Sequence, residues 1–127
     1  MARYSVLKHY LPPNSRRNDH FDLLIEHKDA LATWEIQHWP PLPMQSAIRL
    51  PDHRLLYLDY EGPVEGRGTV TQICTGEIKL RTQDVSEWIV QLMGKSFHGV
   101  IHLRRESCDV PPSRWTLSAE PTPSAAD

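Results

Sequence analysis

Residues 20–26 read His20-Phe21-Asp22-Leu23-Leu24-Ile25-Glu26, the pattern of a β-strand with two unlike faces. One face carries three apolar side chains that can pack into a core: Phe21, Leu23 and Ile25. The other face carries His20, Asp22, Leu24 and Glu26. A histidine and a carboxylate two residues apart on one strand face converge on a point off the sheet, and this geometry suits a metal ion. On the heptapeptide alone, a half-buried strand with a solvated polar face is an equally simple interpretation.

The composition of the 127 residues is that of one soluble globular domain, with 39% hydrophobic and 24% charged side chains. No apolar run approaches the roughly 18 residues of a transmembrane helix, and the N-terminus lacks the apolar stretch of a signal peptide. We therefore expect a cytoplasmic protein without a membrane partner. Cys74 and Cys108 have no metal-ligand spacing around them, so we expect reduced thiols.

The charge balance limits any interaction with nucleic acid. Fourteen basic residues stand against 16 acidic ones, giving a formal net charge of −2. A long duplex footprint needs a strongly basic face, and basic pairs occur here only at Arg16-Arg17 and Arg104-Arg105. If DNA or RNA is the partner, the pattern favours a small contact such as a strand end.

Several runs of alternating or β-branched residues predict short strands, bounded by turn residues. The predicted strands are 3–10, 20–26, 31–37, 69–75, 78–81, 86–93 and 98–105. The proline-rich segment 39–43 is predicted to be a connecting loop. Many short strands without a long helix favour an antiparallel barrel or a sandwich.

The chain becomes rich in proline and serine after Glu106. We therefore predict a folded domain over 1–106 and an extension over 107–127, whose end, 120–127, is disordered. Trp115 and Leu117 are expected to dock on the surface of the domain.

Taken together and in order, the polar motifs resemble the 3′-phosphoesterase domain of bacterial DNA ligase D, which also occurs as a stand-alone protein. The resemblance covers about residues 4–105. The matching motifs, as they stand here, are Lys8-His9, the stretch 20–26, Thr33-Trp34, Asp52-His53 with Tyr57, Tyr60-Glu61-Gly62, and His102-Leu103-Arg104.

The resemblance implies a small β-barrel with short helical segments that trims the 3′ ends of DNA or DNA–RNA strands in DNA repair. It implies removal of a 3′-phosphate or a terminal ribonucleotide with manganese, and partners such as a DNA ligase or other end-joining proteins. His9, His20 and Asp22 would be the metal ligands. His53 would contact the phosphate or donate a proton, and Tyr57 would orient the phosphate. Two imidazoles and a carboxylate are compatible with Mn²⁺, Fe²⁺ or Zn²⁺.

Three features depart from the family pattern, one of which is an abbreviated glycine-rich turn after Glu61. The family's phosphate-binding arginine is Leu24 here, and losing an arginine–phosphate interaction worth roughly 1.5–3 kcal/mol costs on the order of 10- to 100-fold. The segment between His9 and His20 is also longer, and it carries Arg16 and Arg17, either of which could bind the phosphate instead.

Three hypotheses follow from these features: an active metal-dependent phosphoesterase, an inactive relative that binds strand ends or a repair partner, and a barrel that only mediates interactions.

Overall fold

The computed structural model describes residues 2–106 and 113–122, which form nine strands and one short helical turn. The strands are β1 (Arg3–Tyr10), β2 (His20–His27), β3 (Ala30–Ile36), β4 (Met44–His53), β5 (Gly62–Val64), β6 (Gly68–Gln83), β7 (Glu87–Gly94), β8 (His98–Arg105) and β9 (Ser113–Pro121). A 3₁₀ turn over Leu55–Leu58 lies between β4 and β5. None of the helical structure in these residues has the length and apolar character needed to span a bilayer.

Eight of the strands close into an antiparallel barrel, which confirms the predicted fold class. The strand order around the barrel is β1-β2-β3-β4-β9-β8-β7-β6, and β6 pairs back with β1. The short strand β5 pairs with the first residues of β6, along the edge that does not pair with β1. Because the barrel is closed, each of the eight strands pairs with a neighbour on both sides, and none of them is an edge strand.

The predicted strands 69–75 and 78–81 are parts of the single strand β6, which changes partner along its length. Its first half pairs with β1 and its second half with β7, and the exchange falls at Gly76. A Cβ atom at Gly76 would lie 2.8 Å from the Tyr4 ring and 2.9 Å from the Met93 carbonyl oxygen. Glycine is needed here because two neighbouring strands approach the backbone closely.

The C-terminal strand β9 overturns the predicted boundary at residue 106. It lies between β4 and β8 and completes the barrel, and Trp115 and Leu117 are buried in the interior instead of docking on the surface. Glu120 and Pro121 belong to β9, so the predicted disordered segment 120–127 begins too early. Residues 123–127, like Cys108, lie outside the described residues. The prolines and serines that precede β9 obscured its alternating pattern.

The barrel interior is filled by aromatic and aliphatic side chains from alternate positions of the strands. Trp34 packs edge-to-face with Trp88 and Trp115, with ring centroids 5.2 Å and 5.6 Å away. The Arg49 guanidinium lies 4.4 Å from the Trp34 ring centroid and adds a cation–π contact to this group.

A second apolar group covers the outer face of β1–β3. We call it the outer cluster, and it consists of Leu7, Leu24, Leu31, Leu58 and Val70. The 3₁₀ turn crosses this face and is held there by two hydrogen bonds to the Leu58 carbonyl oxygen. Ser5 Oγ donates one at 2.7 Å and Gln72 Nε2 the other at 2.9 Å. The segment after β4, which contains the 3₁₀ turn, is thereby held against the outer face of the barrel.

Candidate metal centre

The histidines His9 and His20 stand at the end of the β1–β2 hairpin as a directly opposed cross-strand pair. Their ring centroids are 4.8 Å apart. Asp22 follows His20 on the same strand face, and Leu7 lies opposite it on β1. The alternation of β2 therefore buries Leu23 and Ile25 in the interior while it presents His20 and Asp22 on the outer face.

These three residues bring their ligand atoms within 4.8 Å of one another. His9 Nδ1 lies 3.6 Å from Asp22 Oδ2, and His20 Nε2 lies 3.4 Å from Asp22 Oδ1. His20 and Asp22 are each only 3% exposed. The predicted ligand set thus forms one compact cluster at the end of the hairpin, as a metal site requires.

Backbone carbonyl groups fix the orientation of both imidazole rings. His9 Nε2 donates a hydrogen bond to the Arg67 carbonyl oxygen at 2.6 Å, and His20 Nδ1 donates one to the Asn18 carbonyl oxygen at 3.3 Å. A carbonyl oxygen can only accept, so each of these ring nitrogens carries the proton. In the neutral rings, His9 Nδ1 and His20 Nε2 then keep their lone pairs and face Asp22. Metal-bound histidines are held by outer hydrogen bonds of this kind.

Two lone pairs that face a carboxylate repel it unless a positive charge lies between them. Asp22 Oδ1 is buried without a hydrogen-bond partner. Burial raises the pKa of Asp22, but the imidazoles of His20 and His9 lower it by more, so the pKa lies below its usual value. The Asp22 carboxylate in turn raises the pKa of His9, against the lowering effect of burial. The donor set and its unpaired oxygen therefore fit a divalent cation, whose binding would displace the second proton, on Nδ1, from a protonated His9.

The cluster borders an open cavity of about 740 Å³ that is lined by residues of the 11–19 loop, the segment 50–57 and the turn after β5. His53 and Tyr57 also line this cavity, with ring centroids 5.8 Å apart. His53 Nδ1 donates to the Pro51 carbonyl oxygen at 3.0 Å, which leaves its Nε2 free for another partner. The structure thus places all five predicted metal and catalytic residues around one cavity.

The two arginines of the 11–19 loop differ in position. Arg17 lines the cavity and its guanidinium contacts the Glu35 carboxylate, whereas Arg16 is exposed and does not line it. Leu24 is fully buried in the outer cluster and does not line the cavity either.

Three charged residues of the cavity lining were missed by the sequence reasoning: Glu35, Arg54 and Arg67. Glu35 pairs with Asp22 in the β2–β3 register, and its Oε1 lies 3.6 Å from His20 Nε2. The alternation of β3 could have identified Glu35, because it places Glu35 on the outer face of the strand while Trp34 points into the interior. Arg54 is next to His53 in the sequence, whereas nothing in the local sequence links Arg67 to His9.

Fold and site together define an eight-stranded antiparallel β-barrel protein with a His/His/Asp cluster on its outer face, suited to a divalent metal ion. Comparison with known protein families and with curated proteins gave no match to this chain.

Proposed function

We propose that this protein is a divalent-metal-dependent phosphoesterase that acts on the 3′ ends of DNA or DNA–RNA strands in DNA repair. One observation carries the proposal. One buried imidazole (His20) and one partly buried imidazole (His9), each fixed by a backbone carbonyl, direct free nitrogens at the buried Asp22 carboxylate beside a cavity that three arginines border. The motifs that resemble the DNA ligase D phosphoesterase domain supply the same residues.

His9, His20 and Asp22 would hold the metal ion, with Mn²⁺ as the expected ion. When bound, such an ion neutralises phosphate oxygens and lowers the pKa of a water molecule. Three protein ligands leave coordination positions free for water and substrate.

His53 and Tyr57 line the same cavity as the cluster and would act on the phosphate there. The Pro51 carbonyl holds the His53 ring with its second nitrogen free, so this nitrogen can hydrogen-bond a phosphate oxygen or give a proton to the leaving oxygen. The Tyr57 side chain lines the cavity next to His53, and its hydroxyl group can orient the same phosphate.

The charge distribution favours a strand end over a long duplex. Arg17, Arg54 and Arg67 border the cavity together with the carboxylates of Asp22, Glu35 and Asp52, and the whole chain carries a net charge of −2. A divalent cation at the cluster would make this lining net positive at one place, which suits a terminal phosphate better than a long duplex.

A second candidate is a relative that binds strand ends or a repair partner without cleaving them. It is favoured by two residues of the outer face. Leu24 replaces the family's arginine with a buried apolar side chain, and Glu35 adds a second carboxylate that would repel a phosphate.

The test is release of inorganic phosphate from a 3′-phosphorylated primer–template with and without Mn²⁺. We expect Mn²⁺-dependent release that is lost in Asp22→Asn and falls by about 10²- to 10⁴-fold in His53→Ala. His38→Ala is the matched control, because His38 is exposed and does not line the cavity. Binding of the primer–template without phosphate release would favour the second candidate, and absence of Mn²⁺ binding would overturn the proposal.

A further inference from the structure

Glu35 and Arg17 form an ion pair between a buried and an exposed group. Glu35 lies on the outer face of β3, opposite Asp22, and only 8% of the residue is exposed. Arg17 lies on the loop between β1 and β2, and 61% of its side chain is exposed. The loop is thereby attached to the barrel next to the metal cluster, since the same Glu35 oxygen lies 3.6 Å from His20 Nε2.

The pair fixes a side chain that would otherwise be mobile. A long, exposed arginine on a loop has many rotamers, and contact with a nearly immobile carboxylate selects among them. A guanidinium group carries five N–H donors, and one carboxylate uses at most two of them. The remaining donors of Arg17 stay available at the cavity that it lines.

The charges near the cluster give this pair a specific consequence. Asp22 and Glu35 together would cancel the charge of a divalent cation held by the cluster. Arg17, in contact with Glu35, adds one positive charge beside it. Losing Arg17 would therefore remove the net positive charge next to the cation, while Arg54 and Arg67 would still border the cavity.

We infer that Arg17 is the phosphate-binding arginine of this site and that Glu35 is the positioning residue that holds it there. The inference rests on the proposed function and specifies how that site binds its substrate. Its rival is that Glu35 competes with the phosphate for Arg17, in which case the carboxylate weakens binding.

The two ideas differ in the sign of one effect. If Glu35 positions Arg17, Glu35→Gln weakens phosphate binding in the presence of Arg17. In an Arg17→Ala background nothing remains to be positioned, so the same substitution removes only repulsion and strengthens binding. If Glu35 merely competes, Glu35→Gln strengthens binding when Arg17 is present. A double-mutant cycle measures this difference.

The experiment is calorimetric titration of inorganic phosphate into the protein at saturating Mn²⁺, with Mn²⁺ affinity measured separately by electron paramagnetic resonance. We expect Arg17→Ala to weaken phosphate binding about 10-fold or more, and Arg16→Ala, on the same loop but outside the cavity, to leave it unchanged. We expect Glu35→Gln to weaken binding in the wild-type background and to strengthen it in Arg17→Ala.

The outcomes separate this inference from the proposed function. Arg17→Ala that binds phosphate like Arg16→Ala, or Glu35→Gln that binds phosphate more tightly in both backgrounds, would overturn the inference while Mn²⁺ binding and phosphate release persist. A wild-type protein that binds no Mn²⁺ would overturn the proposed function and this inference with it.

Discussion

Replacing Leu24 with arginine would introduce the residue that the DNA ligase D phosphoesterase motif has at this position, yet the structure predicts that the variant is strongly destabilised. Leu24 is fully buried in the outer cluster. Its cross-strand neighbours on this face are Ser5 and Thr33. Both hydroxyl groups already donate to carbonyl oxygens, those of Leu58 and Leu31. Neither of these neighbours is a carboxylate, and the two carboxylates on the same strand face already have partners: Asp22 lies against His9 and His20, and Glu26 accepts a hydrogen bond from the Arg3 amide.

Two losses set the expected magnitude for Leu24→Arg. Removing the packing of a buried leucine costs about 2–5 kcal/mol, and leaving a buried charge without a partner costs about 3–5 kcal/mol. The two overlap, because some of the new side chain fills the space of the old one, so we expect a loss of about 4 kcal/mol or more. Leu24→Met preserves volume and polarity and should cost under about 1.5 kcal/mol.

Urea denaturation of Leu24→Arg, Leu24→Met and the wild-type protein measures the free energies of unfolding. If the arginine variant is within about 1 kcal/mol of the methionine variant, the reasoning is refuted, because the arginine must then reach the cavity or solvent. Increased phosphate release in that variant would identify the cavity as its destination.

Two further predictions concern the ligands and their support. Because the pKa of Asp22 is lowered in the fold, the stability it contributes is present above its unfolded pKa of about 4 and is lost as the pH falls through the lower folded value. Asp22→Asn should therefore flatten the acid limb of melting temperature against pH in metal-free protein. An acid limb that is unchanged in Asp22→Asn would contradict this role of Asp22. The raised pKa of His9 has the opposite effect: the stability that His9 contributes is complete below its unfolded pKa of about 6.5 and is lost as the pH rises through the higher folded pKa. Gly68→Ala should lower both stability and Mn²⁺ affinity, because Gly68 has φ +91° and its new Cβ would lie 1.9 Å from the Tyr10 carbonyl oxygen, next to His9. Gly66→Ala, at φ +72° with open space around it, is the control and should cost about 1 kcal/mol in thermal unfolding with unchanged Mn²⁺ affinity.

The sequence was most informative where the pattern is local. Alternation along 20–26 predicts both the strand and the separation of core side chains from ligands. The alternating runs 86–93 and 98–105, with a short turn between them, predict the hairpin that the structure forms as β7 and β8. Each of these inferences needs only the period of two along a single run.

Long-range pairing could not be predicted from such patterns. Glu35 reaches the metal cluster only through the β2–β3 register, and Arg67 approaches His9 across a separation of 58 residues. The strand β9 was missed because composition was given more weight than its alternating Trp115, Leu117 and Ala119. The strand β4 was not among the predicted strands. It contains Pro51, but this proline falls at an irregularity in the β3–β4 pairing, where a missing amide donor costs little.

The pairing of His9 with His20 gives the long 11–19 loop an unexpected freedom. The β1–β2 pairing holds His9 and His20 directly opposite each other. Their spacing is therefore set by the sheet and is independent of how many residues connect them. The length of the loop, which departs from the spacing of the motif that the sequence resembles, therefore leaves the spacing of the two histidines unaltered. Insertions and deletions before Asn18, whose carbonyl oxygen orients the His20 ring, can change which groups border the cavity without moving the two histidines. This part of the loop can thus vary in length and composition and reshape the cavity while the His/His/Asp cluster is conserved.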